Sequence, residues 1–137
     1  MADPIPSAGA VILDGRDRIV LVRRGRPPQQ GRWSIPGGKW EPGETISETV
    51  VREVREETGL EVEVERELGR EMLPAGGGHY FDNVDFLVRV VGGTLKAGDD
   101  ADEAGWFALD ELDSGLLTDD LLGYLDAYGV VQRRGDL

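Results

Sequence analysis

The order of apolar and polar residues predicts short strands in the first part of the chain. Apolar, β-branched runs occupy residues 8–13 and 19–23, and the four residues between them, 14–17, have the composition of a turn. Two such runs joined by a short turn predict a β-hairpin. After a proline-containing loop at residues 26–31, residues 33–35 predict one more short strand.

Alternation of apolar with charged residues predicts two longer strands further along the chain. Residues 61–73 and 80–91 alternate in this way over much of their length, and a glycine-rich loop separates them. A short strand is expected at residues 106–109, and a last helix, capped by Thr118, is expected to end at about residue 128. Strands combined with two helices predict a single mixed α/β domain.

The segment between these groups of strands predicts a helix with well-defined ends. Residues 41–44 place proline and then glycine as a type II turn requires, and Thr45 with Glu48 has the spacing of a capping box. The helix is therefore expected over residues 46–58. Gly59 can then adopt the left-handed conformation that closes a helix.

Three glutamates crowd one strip of this predicted helix. Glu53, Glu56 and Glu57 stand at positions i, i+3 and i+4, so their Cβ atoms lie about 5–6 Å apart. Carboxylates this close repel one another unless they take up protons or share a cation, and Mg²⁺ prefers carboxylate oxygens. A solvated helix face is also rich in charge. Glu53 and Glu57, however, fall at the border of the apolar stripe, which solubility alone does not require.

The spacing of the surrounding residues decides between a metal site and a solvated face. All the fixed positions of the Nudix box are present, as Gly38, Glu44, Arg52, Glu53, Val54, Arg55, Glu56, Glu57, Gly59 and Leu60. The chain thus resembles the Nudix hydrolase family over residues 38–60. The resemblance implies the α/β Nudix fold, a mixed β-sheet sandwiched between helices, as a single domain over residues 1–137. It also implies metal-dependent hydrolysis of a diphosphate linkage.

The resemblance assigns ligands and catalytic residues within this segment. A backbone carbonyl just before the box joins the carboxylates at the metal, and the corresponding residues are Gly37, Glu53, Glu56 and Glu57. Mg²⁺ is the expected ion, with Mn²⁺ as a possible substitute. Glu53 is either a further ligand or the base for the attacking water, and Glu57 belongs to the same catalytic set. Arg52 is expected to hold the glutamates in place through charged hydrogen bonds, and Glu44 to orient that network.

Residues outside the box are expected to complete the site. In many relatives the last acid comes from a distal loop, which makes Glu103 the candidate here, with Asp102 and Asp100 as alternatives. Basic residues near the box are available for the substrate phosphates, namely Arg23, Arg24, Arg26 and Lys39. Trp106 is an aromatic candidate for substrate binding, although aromatic residues in a small domain belong to the core by default.

Composition and charge narrow the range of partners. The chain has 137 residues, no cysteine and a net charge of -12, with its basic residues concentrated in residues 1–39. This acidity argues against a long nucleic-acid partner. The absence of a leader and of an apolar stretch long enough for a bilayer argues against a membrane. We therefore expect a cytoplasmic protein, monomer or homodimer, that acts on a small nucleotide.

Three functions remain open at this point. The favoured function is hydrolysis of a nucleoside diphosphate-X substrate, with ADP-ribose or a related nucleotide sugar first, by attack of water at phosphorus and release of a nucleoside monophosphate. A MutT-like hydrolase of (d)NTPs, which cleans the nucleotide pool, is the alternative. A non-catalytic nucleotide-binding Nudix module is the third. Such modules typically lose box carboxylates, whereas all of them are kept here.

Overall fold

The computed structural model describes residues 3–96 and 101–131, which form seven strands and two α-helices. The strands are β1 Ile5–Ile12, β2 Arg18–Arg24, β3 Trp33–Ser34, β4 Gly37–Lys39, β5 Leu60–Gly76, β6 His79–Gly93 and β7 Ala101–Ala108. The helices are α1 Ile46–Thr58 and α2 Leu121–Ala127, and a 3-10 turn covers Leu109–Glu111. None of the helices in these two ranges has the length and apolarity needed to span a membrane.

The strands form two sheets. The larger has the order β4-β1-β6-β5, and the smaller has the order β3-β2-β7. In the larger sheet β1 and β6 run parallel, with Gly9 beside Asp85, whereas β1 pairs antiparallel with β4, with Gly9 beside Gly37. Gly37, Gly9 and Asp85 therefore follow one another across three neighbouring strands.

Side chains alternate across β1, and each face packs against a different helix. Ala8, Ala10 and Ile12 lie on the face covered by α1, where they join Val50 in one core cluster. Val11 lies on the opposite face, in a second cluster that contains the buried leucines of α2. The expected mixed sheet between helices is therefore confirmed, although the strands divide into two sheets.

Helix α1 begins and ends at the predicted residues because both of its ends are capped. The Thr45 hydroxyl accepts from the Glu48 N–H at 3.1 Å, and the Glu48 carboxylate accepts from the Thr45 N–H at 2.8 Å. Gly59 closes the helix at φ 75°, and Gly43 has φ 94° in the turn before it. The capping box, the C-terminal glycine and the preceding turn are all confirmed.

The predicted hairpin between the first two apolar runs is wrong. The turn itself forms, since Asp14 Oδ1 accepts the N–H groups of Arg16 and Arg18. Beyond one bridge between Leu13 and Ile19, however, β1 and β2 enter different sheets. Both edges of β1 are occupied by β4 and β6, so β2 pairs with β3 and β7 instead.

The remaining boundaries differ from the prediction in ways that have local causes. β4 was not predicted, because two consecutive glycines favour a turn over a strand. β5 and β6 extend beyond both predicted strands and meet in a tight turn at Gly77 and Gly78. β7 begins at Ala101, earlier than the expected strand. Thr118 does not cap α2, since its N–H is bound to the Trp33 carbonyl at 2.9 Å and the helix begins only at Leu121.

Candidate active site

Arg52 joins helix α1 to the loop that precedes it. Its guanidinium donates to both carboxylate oxygens of Glu44, from Nε at 3.0 Å and from Nη2 at 2.9 Å, and to the Lys39 carbonyl at 2.9 Å. These hydrogen bonds lower the pKa of Glu44 to about 2 and raise the pKa of Arg52. Glu44 is therefore an ionised anchor for Arg52, which is the orienting role expected from the sequence.

The other side of the same guanidinium reaches two of the three clustered glutamates. Arg52 Nη1 donates to Glu53 Oε1 at 2.7 Å and to Glu56 Oε2 at 3.2 Å. Glu57 is held by a different donor, the N–H of Gly37, at 3.1 Å. The carboxylates on one strip of α1 are thus positioned by Arg52 and by the backbone of β4.

Glycine is required where β4 passes α1. A Cβ on Gly38 would lie 2.3 Å from Glu53 Cδ, and a Cβ on Gly37 would lie 2.3 Å from the Ala8 carbonyl oxygen. A side chain at Gly37 would push β4 away from β1, and a side chain at Gly38 would displace the Glu53 carboxylate. We call the six residues of this surface the box wall: Gly37, Gly38, Arg52, Glu53, Glu56 and Glu57.

The box wall has the donor chemistry of a site for a hard divalent cation. It combines carboxylates with glycine backbone, and Mg²⁺ and Mn²⁺ prefer oxygen ligands of this kind. Within residues 3–96 and 101–131, no three acidic or histidine side chains converge on one point as a complete ligand set. The glutamates instead contact Arg52 and the Gly37 N–H. The Glu56 side chain is 54% exposed, so solvent leaves it room to turn towards a cation.

The box wall opens onto a cleft of about 590 Å³ that is lined by residues of both sheets and both helices. Three of the four predicted cations, Arg24, Arg26 and Lys39, line the same cleft. The Arg24 Nε atom donates to the Pro28 carbonyl at 2.7 Å, which fixes its guanidinium at the rim. Acidic and basic groups thus share one cavity.

Three predicted site residues do not line the cleft. Arg24 lines the cleft, and because successive strand residues point to opposite faces, Arg23 points to the other face of β2. There the Arg23 Nη1 atom lies 3.8 Å from Glu103 Oε1. Trp106 packs against the core cluster beneath α1, and the Arg18 guanidinium lies 5.5 Å from its ring centroid. The cleft therefore gives no support to the predicted site roles of Arg23, Glu103 and Trp106, which stay predictions. Two alternatives for the distal acid lie outside the described part of the chain: Asp100 and the side chain of Asp102.

A second polar network in the lining of the cleft was not predicted. Glu71, Asn83 and Asp85 line the cleft, and we call them the inner wall. The Asn83 amide nitrogen donates to Glu71 Oε1 at 3.0 Å and to Asp85 Oδ1 at 2.7 Å, and its amide oxygen accepts from the Ser7 hydroxyl at 2.9 Å. Tyr128 Oη lies 2.5 Å from Glu71 Oε2 and 2.7 Å from Asp85 Oδ2.

Burial governs the ionisation of the inner wall. Asp85 is only 3% exposed, and its burial, together with the nearby Glu71, raises its pKa to about 8. Burial and the two carboxyls also raise the pKa of Tyr128. A signal for this site does exist in the sequence, because Asn83 and Asp85 are polar on the same strand face as the apolar Leu87. Strand alternation alone does not reveal that α2 covers that face.

Comparison with known proteins agrees with this geometry. A family model described as NUDIX domain matches residues 3–127. The ADP-ribose pyrophosphatase of Methanocaldococcus jannaschii is 45% identical over 103 residues, which cover 74% of this chain and 60% of that protein. The 8-oxo-dGDP phosphatase of Homo sapiens is 37% identical over 117 residues, which cover 82% of this chain and 35% of that protein. The chain thus spans only part of the length of both relatives.

A solved structure extends the likeness to the whole fold. The crystal structure of a MutT NUDIX hydrolase from Burkholderia pseudomallei superposes with a TM-score of 0.78 at 30% identity. The alignment covers 92% of this chain and 98% of that one. The similarity therefore includes the sheets and the helices on both of their faces, and not only the segment around α1.

Proposed function

This chain belongs to the NUDIX domain family, and on that basis we propose that it hydrolyses the diphosphate linkage of a nucleoside diphosphate-X substrate with the help of a divalent cation. ADP-ribose or a related nucleotide sugar is the favoured substrate, and a nucleoside monophosphate is one product. The observation that carries the proposal is that box-wall carboxylates and the cations Arg24, Arg26 and Lys39 line one cavity. Hydrolysis of a diphosphate needs both kinds of group.

The residues suited to hold the cation are Gly37, through its carbonyl, and the glutamates Glu53, Glu56 and Glu57. Bound there, Mg²⁺ or Mn²⁺ would neutralise phosphate charge and lower the pKa of water. Arg52 keeps the glutamates oriented, because it is itself anchored on Glu44. Glu53, whose side chain is 14% exposed, is placed to accept a proton from water that enters the cleft.

The bond changes follow from this arrangement. Water attacks one phosphorus of the diphosphate, and the bond from that phosphorus to the bridging oxygen breaks. The bridging oxygen leaves with the second phosphate, and a carboxylate takes the proton that water loses. Arg24, Arg26 and Lys39 hold the phosphate oxygens through charged hydrogen bonds, so the reacting phosphorus stays in one place during the attack.

Two observations support ADP-ribose or a nucleotide sugar as the substrate. The archaeal relative that is 45% identical is named an ADP-ribose pyrophosphatase. The cleft, at about 590 Å³, lies within the usual range of ligand pockets, roughly 300–1,000 Å³, and continues past the box wall to the inner wall. A substrate with a polar group on the far side of its diphosphate would occupy both walls.

A nucleoside di- or triphosphate is the second candidate. The human relative is named an 8-oxo-dGDP phosphatase, and the Burkholderia structure is described as a MutT hydrolase. Both candidates use the box wall in the same way and differ in what lies against the remainder of the cleft. A non-catalytic module is disfavoured, because Arg52 and Glu44 still hold the box glutamates in one strip.

A substrate panel tests the proposal directly. The protein is incubated with Mg²⁺, with Mn²⁺ or with excess chelator, and with ADP-ribose, other nucleotide sugars, diadenosine polyphosphates, 8-oxo-dGDP or (d)NTPs. We expect AMP from ADP-ribose with either metal and none in chelator. A kcat/KM for any (d)NTP at least about tenfold above that for ADP-ribose would reverse the ranking. Full turnover in chelator would contradict the metal role, and release of no monophosphate from any compound would refute the proposal.

A further inference from the structure

The number of hydrogen atoms available in the inner wall bears on which of its groups carry protons. Tyr128 Oη contacts both Glu71 Oε2 and Asp85 Oδ2, yet a phenol has a single proton to donate. It can donate to one carboxyl only. The other contact, at 2.5 or 2.7 Å, is a hydrogen bond only if that carboxyl itself carries a proton and donates it to the tyrosine oxygen. One proton shared by the Glu71–Asp85 pair gives both contacts a donor and an acceptor.

The deeper carboxyl is the one that holds this proton. Asp85 is 3% exposed, whereas Glu71 is only partly buried, so the charged form costs less on Glu71. The resulting chain runs from the Asp85 carboxylic acid to Tyr128 Oη and from the Tyr128 hydroxyl to the Glu71 carboxylate.

The neighbouring strands are shaped around this network. A Cβ on Gly9 would lie 2.4 Å from Asp85 Oδ1, and a Cβ on Gly69 would lie 2.6 Å from Tyr128 Cε1. β1 and β5 thus lack a side chain at the two points where the acid and the phenol need room. Buried ionisable groups cost stability compared with apolar residues of similar size, so their presence in the wall of a cleft points to a role beyond packing.

The position of the inner wall in the sheet points to the rest of the substrate. Gly37, Gly9 and Asp85 lie opposite one another on three neighbouring strands. Two strand spacings put Asp85 about 10 Å from the Gly37 backbone at Cα. Glu71 lies one strand further on, opposite Asn83 on β5, so the group attached to a diphosphate at the box wall is the part of the substrate that would reach it.

What the inner wall offers to a ligand follows from its own hydrogen bonds. The donors of Ser7, Asn83, Tyr128 and the protonated Asp85 are all used within the network. The capacity left over consists of carboxyl lone pairs, and Glu71 is the less buried of the two carboxyls. The matching ligand is a neutral hydrogen-bond donor, such as a sugar hydroxyl or a base N–H.

We propose that Glu71 selects the part of the substrate beyond the diphosphate by accepting hydrogen bonds from its hydroxyl or N–H groups, and that Asp85 and Tyr128 position Glu71 through one shared proton. Glu71 touches the substrate, whereas Asp85 and Tyr128 act through Glu71. The inference rests on the proposed function, because it assumes that the diphosphate is bound at the box wall. It adds the residue that sets specificity for the remaining part of the ligand.

Steady-state kinetics on the preferred substrate test the contact. We expect Glu71→Gln to raise KM by about tenfold or more with kcat within about threefold, because the contact is remote from the reacting phosphorus. Glu67→Gln, the same change at an exposed position of β5, should leave both parameters unchanged. Substrate pairs that differ by one donor, a 2′-hydroxyl in one pair and a base amino group in the other, identify the source. The pair whose discrimination Glu71→Gln abolishes supplies the donor, and unchanged discrimination in both pairs overturns the proposal.

The shared proton has two tests of its own, and the second, which measures melting temperature, does not depend on turnover. Asp85→Ala should raise KM like Glu71→Gln, whereas Asp85→Asn should restore KM to within about threefold of the parent, because its amide nitrogen can donate to Tyr128 as the protonated acid does. The Glu71→Gln and Asp85→Asn double variant places two amide donors against one phenol. It should melt at least about 5 °C below either single variant. An Asp85→Asn variant as impaired as Asp85→Ala, or a double variant as stable as the singles, would overturn the arrangement. A parent with no activity on any diphosphate would refute the proposed function. The melting temperatures would still show whether Glu71 and Asp85 share one proton.

Discussion

The two walls of the cleft place the same chemical group in opposite environments. Just outside the cleft, Glu44 anchors Arg52 of the box wall, and the guanidinium lowers the pKa of Glu44 to about 2. At the inner wall, Asp85 is buried beside a second carboxyl, and its pKa rises to about 8. One wall therefore contains an arginine that stabilises ionised carboxylates, and the other contains a carboxylic acid that keeps its proton at neutral pH. Their different surroundings suit these carboxyl groups to different roles, although both walls line one cavity.

The two walls also differ in whether their carboxylates are available to a metal ion. The box wall keeps Glu53, Glu56 and Glu57 near glycine backbone and next to the solvent-filled cleft. The inner wall uses its proton and its amide donors to satisfy its own carboxyls. A divalent cation would have to displace that proton and those donors at the inner wall. At the box wall it would meet carboxylates that accept hydrogen bonds from Arg52 and from the Gly37 N–H.

The largest expected effect is a loss of turnover when a box-wall glutamate is changed. Glu57→Gln and Glu56→Gln should each lower kcat by a factor of about 10² or more, because they remove ligand charge and almost no volume. The matched control is Glu65→Gln, an exposed glutamate of β5, which should retain parental turnover. Turnover with Mg²⁺ and circular dichroism of each variant are the measurements. Glutamine variants that work nearly as well as the parent would mean that this strip of α1 is only a solvated face.

The second effect is a pH dependence of stability that arises from Asp85 in the inner wall. The pKa of Asp85 is about 8 in the folded protein, above its ordinary value of 3.8. Between these values the unfolded chain has lost this proton and the folded chain has kept it, so the free energy of unfolding contributed here falls as pH rises from about 4 to about 8. The other titratable groups around Asp85 are Glu71, Tyr124 and Tyr128.

Urea unfolding of the parent and of Asp85→Asn at several pH values measures this dependence. The parent should lose stability as pH rises through this window, and Asp85→Asn should lose less, because an amide has no proton to give up. Asp82→Asn, the same change three residues earlier on β6, is the control and should follow the parent. Equal slopes for the parent and Asp85→Asn would contradict the raised pKa and would remove the difference between the walls.

The box wall could be predicted because its contacts are local in sequence. The capping box joins Thr45 to Glu48, and Arg52 reaches Glu44 eight residues away. Turn, cap and helix periodicity then fix which side chains share a strip. Even Gly37, which belongs to another element, lies only 20 residues before its partner Glu57. A short motif can carry this much geometry because one helix and one loop produce it.

The inner wall could not be predicted because its contacts join distant segments. Tyr128 meets Asp85 across 43 residues, and Ser7 meets Asn83 across 76. A polar strand face has the same pattern whether water or a helix covers it. The position of Glu103 has a related cause, since it is set by pairing with Arg23 on the distant strand β2.

The smallest expected effect separates the stability of the box wall from its chemistry. Thr45→Ala removes the side-chain acceptor for the Glu48 N–H at the start of α1, which should cost about 1 kcal/mol of unfolding free energy. The glutamates of the box wall lie in the second half of α1, and Arg52 remains anchored on Glu44, so kcat/KM should stay within about twofold. Ser47→Ala removes a hydroxyl from the same turn without removing the cap, and it should not destabilise the protein. Thermal unfolding and steady-state kinetics of both variants measure the two quantities separately. A large loss of activity in Thr45→Ala with little loss of stability would mean that the cap positions the box wall directly, and that local contacts at the start of α1 matter for chemistry as much as Arg52 does.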